Sequence, residues 1–185
     1  MCIKTAHGKK LKLKKNRKLG NNVTVNVKID AFKNVKTITT ASWGNFGVST
    51  KGKENLLKGF LVKQNGIVNF IMFYEGDIGC LEQFTTIKVK LSNGEVIVFS
   101  KLNATDCENK YYSDFAPINV KEEEGSVAEM DKIMLDNLRK LEKFDWVVIR
   151  LNGSEYYVDI VPNKSKSIPN PEQFFRQHII AANKK

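Results

Sequence analysis

The dipeptide Asn-Gly occurs three times in this chain, at positions 65–66, 93–94 and 152–153. A tight type I′ turn needs a positive φ at both of its central residues, and Asn and Gly tolerate that conformation best. Each dipeptide is flanked on both sides by sequence rich in β-branched and aromatic residues. The chain is therefore predicted to fold largely as antiparallel β-hairpins.

Two further strands are predicted near the N-terminus. Apolar and polar residues alternate over 23–29, and segment 35–43 is rich in Thr. Segments 67–74 and 96–99 are almost continuously apolar, which favours central positions in a sheet. The segments that flank the Asn-Gly turns are 61–63, 67–74, 84–91, 96–99, 146–151 and 156–161.

Two helices are predicted in the C-terminal third. Ser126 and Glu129 have the spacing of a capping box, and apolar residues then recur at helical spacing to about residue 143. Asn170 followed by Pro171 is typical of the start of a second helix, over about 171–182. The predicted fold is mainly β (α+β), an antiparallel sheet of sandwich-like or half-barrel form with these two helices.

Four glycines between residues 44 and 59 predict a loop, with a short helix near 54–58. Within it, residues 47–54 match the phosphate-binding P-loop pattern up to the last position, where Glu54 replaces the Ser or Thr that binds magnesium. A P-loop also needs an alternating βα order around it, and the hairpins argue against that order. Nucleotide hydrolysis is therefore a distant alternative.

The sequence has no spacing of His and Cys typical of a metal site, and no pattern that implies a cofactor. A Cys–His enzyme would need Cys80 or Cys107 to meet His178 in the fold. With Cys2 the sequence has three cysteines, and this odd number favours a reducing compartment over a disulfide framework. With no signal-peptide pattern and no apolar run of about 20 residues, we expect a location in the cytoplasm or a virus particle, and no membrane partner.

Positive charge is concentrated near the N-terminus. Residues 1–63 contain 15 of the 30 Lys and Arg residues but only 2 of the 20 Asp and Glu residues. Residues 1–22 contain no acid and are interpreted as a basic arm, followed by a single β-rich domain over 23–185. Because Lys and Arg neutralise phosphates, the arm is the candidate site for nucleic acid or another polyanion. Its candidate residues are Lys4, Lys9, Lys10, Lys12, Lys14, Lys15, Arg17 and Lys18.

The basic sequence continues beyond the arm, and Trp43 and Phe46 are candidate base-stacking residues. Aromatic residues beside a strand end are more often part of the core. The sequence alone does not show whether these later lysines share one face. They are Lys28, Lys33, Lys36, Lys51, Lys53, Lys58 and Lys63.

The absence of a catalytic pattern, together with the basic arm, favours a non-catalytic structural component of a large assembly such as a phage particle. Its arm would contact nucleic acid or a neighbouring subunit. The alternative is a stand-alone protein that binds nucleic acid without sequence preference. A nucleotide- or Cys-dependent enzyme is the most distant alternative, and a Lys-rich composition also fits an arm that is only a solvated tail.

Overall fold

The computed structural model describes residues 10–11, 23–104, 107, 111–120 and 126–184, and this part of the chain is mainly β with two α-helices. The predicted fold class is confirmed. The helices are α1 (Val127–Lys143) and α2 (Phe174–Asn183). The strands are β1 (Lys10–Leu11), β2 (Val25–Asp30), β3 (Val35–Thr40), β4 (Trp43–Ser49), β5 (Gly52–Gln64), β6 (Ile67–Tyr74), β7 (Thr86–Leu91), β8 (Val96–Lys101), β9 (Tyr111–Ala116), β10 (Trp146–Asn152) and β11 (Tyr157–Pro162).

Strands β4 to β11 close into an antiparallel barrel. Neighbouring strands follow the order β4, β5, β6, β9, β8, β7, β10, β11, and β11 pairs with β4 to complete the ring. The sequence left a sandwich and a half-barrel open, and the sheet is a closed barrel. Every strand of the ring is therefore hydrogen-bonded on both sides.

All three Asn-Gly dipeptides lie at hairpin connections, but only one has both residues in the left-handed region. Asn65 (φ 50°) and Gly66 (φ 88°) join β5 to β6 as expected. Between β7 and β8 only Gly94 has a positive φ, of 92°. Gly153, between β10 and β11, is required by packing instead, because a Cβ there would overlap the carbonyl of Ile78.

The loop predicted over 44–59 is wrong, as is the short helix within it, because this segment forms most of β4 and the first part of β5. Two of its glycines serve close packing rather than turns. A Cβ at Gly47 would clash with Ile160 of β11, and one at Gly59 would crowd Phe174 in the core. The P-loop match therefore lies on a β-hairpin with no helix after it, which is incompatible with a phosphate-binding loop.

Strands β2 and β3 form a hairpin that extends the sheet beyond the barrel. β3 pairs with the last three residues of β5. β4 pairs with the earlier part of β5 on the same side, and β6 pairs with the other side. At the base of the hairpin Val25 and Ile38 are buried in the core. Toward its tip the apolar side chains emerge into solvent, with Ile29 65% exposed and Phe32 fully exposed.

Helix α1 begins as predicted. Ser126 and Glu129 form both hydrogen bonds of the capping box, and Met134, Leu138 and Leu141 are buried. Within the described residues, no helix is long and apolar enough to cross a membrane.

Helix α2 follows a 3-10 turn at Pro171–Gln173. The expected cap is wrong in detail, because the Asn170 side chain makes no capping hydrogen bond. The first two side chains of α2, Phe174 and Phe175, enter the barrel core, where both lie against Phe70 of β6. The helix therefore closes one end of the barrel with aromatic side chains.

The two ends of the barrel differ. The helix end carries the β5–β6 and β7–β8 turns, and α1 reaches it through the ion pair between Lys140 and Glu95 at 3.0 Å. The turn end carries the β4–β5 and β10–β11 connections. There the Ser154 amide donates to the Cys80 carbonyl at 3.1 Å, so the segment before β7 is tied to the β10–β11 turn.

Candidate functional site

The basic arm falls almost entirely outside the described residues. Lys10 belongs to β1, where it is paired in register with Asn26 of β2. The contact of the arm with a polyanion therefore stays a prediction. The candidate residues outside the described part are Lys4, Lys9, Lys12, Lys14, Lys15, Arg17 and Lys18.

The lysines that follow the arm do not share one face. Lys28, Lys33 and Lys36 lie on the β2–β3 hairpin, whereas Lys51 lies in the turn at the opposite end of β5. Lys58 pairs with Glu75 at 2.5 Å. The basic sequence after the arm is thus divided between two ends of the molecule.

Trp43 and Phe46 are core residues, which was the more frequent of the two roles expected for such aromatics, and they are not available to stack on bases. Trp43 is 7% exposed and Phe46 is fully buried. Phe46 stacks on Phe174 with ring centroids 3.9 Å apart. Both aromatic rings belong to the core that α2 completes.

The cysteines differ from expectation, because Cys80 and Cys107 form a disulfide with Cα atoms 4.5 Å apart. They meet because β7 and β8 between them form a hairpin that returns the chain to its starting point. His178 is buried, and its Nδ1 lies 2.6 Å from Thr40 Oγ1. The described residues thus contain no Cys–His pair, and no group of three or more His, Cys, Asp or Glu side chains that could hold a metal.

Burial also fixes the charge state of His178. Its imidazole packs against the rings of Trp43 and Phe174, with ring centroids 5.2 and 4.4 Å away. Desolvation lowers the pKa of His178 to about 3, so the ring is neutral at physiological pH. A neutral, enclosed imidazole serves the packing of the core.

A group of exposed cationic and aromatic side chains lies near the turn end of the barrel. They come from β7, β10, β11 and the β4–β5 and β10–β11 turns, where outward positions alternate with buried ones. Their members are Lys51, Lys88, Arg150, Tyr156 and Tyr157, and we name them the Arg–Tyr face.

Arg150 is the centre of the Arg–Tyr face. Its Cζ lies 4.2 Å from the ring centroid of Tyr157, within the range of a cation–π contact. Its Nε and Nη2 donate to the two carboxylate oxygens of Asp159 at 2.7 and 2.8 Å. The guanidinium is thus held by two partners, and 43% of the Arg150 side chain remains exposed.

Electrostatics on this face are governed by the same pair. The hydrogen bonds from Arg150 hold the pKa of Asp159 below its ordinary value, and the charges of Arg150 and Lys51 add to the effect. The carboxylate in turn raises the pKa of Arg150. Asp159 is therefore ionised. Its negative charge offsets the charge of Arg150 but not the charges of both Lys51 and Lys88 as well.

Tyr156 and Tyr157 present half-exposed rings, 48% and 49% accessible to solvent. Lys51 Nζ lies 5.9 and 5.7 Å from their ring centroids. The Tyr156 hydroxyl donates to the backbone carbonyl of Asp77, which fixes that ring at its outer edge. Both rings are therefore held in place before any ligand arrives.

A groove of about 430 Å³ lies beside the face, with Lys88 and Asn152 in its lining. Lys88 is paired in register with Arg150 across β7 and β10, so the two cations are neighbours on the outer surface. Phe84 forms part of the groove with φ at 63°, an unusual conformation for a bulky side chain. The groove thus combines a cation, an amide and an aromatic wall.

Apart from Lys51, which the sequence analysis included among the later lysines, the residues of the Arg–Tyr face were not singled out from the sequence. A signal for them exists in the hairpin around Asn152-Gly153: residues 149, 151, 158 and 160 are apolar and face inward, so Arg150 and Asp159 must face outward.

No family model, no curated protein and no solved structure matches this chain.

Proposed function

We propose that this protein binds single-stranded nucleic acid without sequence preference through the Arg–Tyr face. The observation that supports the proposal most is the Arg150 guanidinium, held on the Tyr157 ring at 4.2 Å and flanked in register by Lys88. Proteins of this kind combine cations that follow the phosphate backbone with aromatic rings on which bases stack.

Each part of the face has a role in this proposal. Lys51, Lys88 and Arg150 neutralise phosphates, and the half-exposed rings of Tyr156 and Tyr157 stack on bases. Bases must be unstacked from a duplex before a protein ring can take their place, which favours a single strand. Every base has a face that can stack on a ring, so affinity that arises from stacking and phosphate contacts carries little sequence preference.

The test is the affinity of the full chain for a fluorescent oligothymidylate of about 15 nucleotides, within the site sizes of such proteins. Arg150→Gln should weaken binding about tenfold, because it removes a phosphate contact and a stacking partner. Arg139→Gln is the matched control: it removes the same charge from an exposed position on α1, where Arg139 pairs only with Asp136 at 3.5 Å among the described ion pairs. Equal losses for the two variants would contradict the proposal.

A second comparison separates the face from the arm. A chain without residues 1–20 should keep the Arg150 dependence, and its binding should fall less steeply with salt if the arm also contacts phosphate. If the truncated chain loses all affinity and Arg150→Gln has no effect on the full chain, the arm alone is the binding site.

The role in a large assembly remains a second candidate. It is favoured by the outer edge of β2, where β1 pairs with Val25 and Asn26 and no other strand of the described residues pairs. A neighbouring subunit could add a strand beside the remaining residues of β2. Concentration-dependent mass measured by light scattering would support this role, and a monomer at all concentrations would argue against it.

A further inference from the structure

The tip of the β2–β3 hairpin combines two exposed apolar side chains with three lysines. Phe32 is fully exposed and Ile29 is 65% exposed. Lys36 is paired in register with Ile29, and Lys28 and Lys33 are also exposed. Alternation places Lys36 on the face of Ile29 and Lys28 on the opposite face of the hairpin, so the tip presents an aromatic ring with cations around it.

The conformation of the tip is fixed by its own residues. The Asp30 carboxylate accepts hydrogen bonds from the amides of Phe32 and Lys33 at 2.9 and 3.2 Å. Asn34 has a φ of 52°, the left-handed conformation that Asn tolerates. The Phe32 ring is therefore presented on an ordered turn, with its surface open to a ligand.

The strand pairing links the hairpin to the Arg–Tyr face through β5, β4 and β11. β3 and β4 pair with the same side of β5, the one near its end and the other near its start. Along the strand direction, the 13 residues of β5 correspond to about 40 Å, and the tip lies farther still because Thr37 is already paired with Gln64 at the end of β5. One extended ligand could reach both, and a short one could not.

We infer that Phe32, with Lys28, Lys33 and Lys36, is a second stacking and phosphate contact for the same strand of nucleic acid, engaged only by strands long enough to span β5. The inference rests on the proposed function. A second contact on one ligand raises affinity because it acts at a high effective concentration. A single nucleic-acid strand supplies both the phosphates that match three lysines and the bases that stack on a ring.

The experiment compares oligothymidylates of about 5 and about 30 nucleotides on the full chain, below and well above the length needed to span β5. Phe32→Ala should weaken binding of the long strand about tenfold and leave the short strand unchanged. Val127→Ala, which removes an apolar side chain 78% exposed on α1, is the matched control and should change neither affinity.

A second variant tests the lysines independently of the ring. Replacing Lys28, Lys33 and Lys36 together by Gln should reduce the slope of log affinity against log salt by about 2 for the long strand alone. An unchanged slope and an unchanged affinity of Phe32→Ala for the long strand would overturn the inference.

The outcomes also separate the two proposals. If Arg150→Gln weakens both strands while Phe32→Ala weakens neither, the hairpin contact fails and the proposed function stands. If Arg150→Gln weakens neither strand, the Arg–Tyr face is not a binding site for nucleic acid.

An anionic lipid surface is the other polyanion that the tip could bind, and sedimentation with phosphatidylserine vesicles tests it. If Phe32→Ala abolishes vesicle binding but does not change the affinity for the long strand, the tip binds lipid and the inference is overturned.

Discussion

The two ends of the barrel are stabilised by different means. At the helix end, α2 buries Phe174 and Phe175 among the aromatic rings of the barrel strands. At the turn end, the Cys80–Cys107 disulfide and the hydrogen bonds between Cys80 and Ser154 tie neighbouring connections together. Apolar burial contributes at both ends, since Ile78 and Leu81 are buried at the turn end, but the bonds between connections are added at the turn end.

This difference also separates stability from binding. The aromatic rings at the helix end are enclosed and cannot meet a ligand. At the turn end the buried apolar side chains include Ile78 and Leu81, and Tyr156 and Tyr157 remain half exposed. Rings that are both ordered and accessible are what a stacking surface needs. Variants at the two ends should therefore affect different measurements.

The largest expected effect is at the helix end. Phe174→Ala removes a fully buried ring that stacks on Phe46, and it should lower the free energy of unfolding by about 3–5 kcal/mol. Urea unfolding followed by circular dichroism measures this. Phe32→Ala is the control within the same chain, since its ring is fully exposed and should change stability by less than about 0.5 kcal/mol. If the two variants lost similar amounts of unfolding free energy, Phe174 would not stabilise the core more than the exposed Phe32 does.

The next effect is at the turn end. The disulfide closes a loop with a sequence separation of 27, so reducing it should cost about 3.5 kcal/mol of stability by the chain-entropy estimate. Unfolding with and without a reductant measures the cost. In the variant with both Cys80 and Cys107 replaced by Ala, the reductant should make no difference. A wild-type chain that is insensitive to reductant would show that the bond does not stabilise this end.

His178 makes the stability of the helix end depend on pH. Its pKa is about 3 in the folded chain against an ordinary 6.5, so between these values the unfolded chain binds more protons. Stability is therefore complete above pH 6.5 and falls as pH is lowered, by up to about 1.4 kcal/mol per pH unit. Denaturant unfolding between pH 7 and about 5, above the ordinary carboxylate range, isolates this slope. His178→Gln should flatten the slope, and an unchanged slope would contradict its assignment to the buried imidazole.

The smallest effect concerns charge on the Arg–Tyr face. Asp159→Asn removes the carboxylate that occupies Arg150 and should raise oligonucleotide affinity a few-fold, about 1 kcal/mol at most, with little change in stability. Asp136→Asn, which removes the partner of Arg139 on α1, is the control and should leave affinity unchanged. A lower affinity of Asp159→Asn would mean that the carboxylate is needed to orient Arg150.

The fold class was predictable because its signals are local. Asn-Gly turns, alternation and the Ser126–Glu129 cap depend on residues close in sequence. The closed barrel was not predictable, because it depends on β4 meeting β11 far along the chain. The glycines of β4 and β5 misled for the same reason: Gly47 is explained by Ile160, a residue more than 100 positions away.

The candidate site was missed because its register differs from the simplest turn. A two-residue turn at Asn152-Gly153 would place Arg150 opposite Glu155, whereas the longer connection places it opposite Asp159. Within that connection Gly153 lies against the backbone of Ile78, a contact between distant segments that the sequence does not reveal. The Cys80–Cys107 bond was missed similarly, since the β7–β8 hairpin brings the two cysteines together.

The pairing of β4 with β11 has a consequence for how the chain folds. Ser49 pairs with Ile160 and Gly47 with Pro162, and this seam has only three residue pairs. Every other neighbouring pair in the ring joins strands much closer in sequence. Contacts of such high sequence separation form slowly, because a long loop must close first. We expect the seam to form late in folding, and on the ribosome the ring cannot close until β11 has been synthesised.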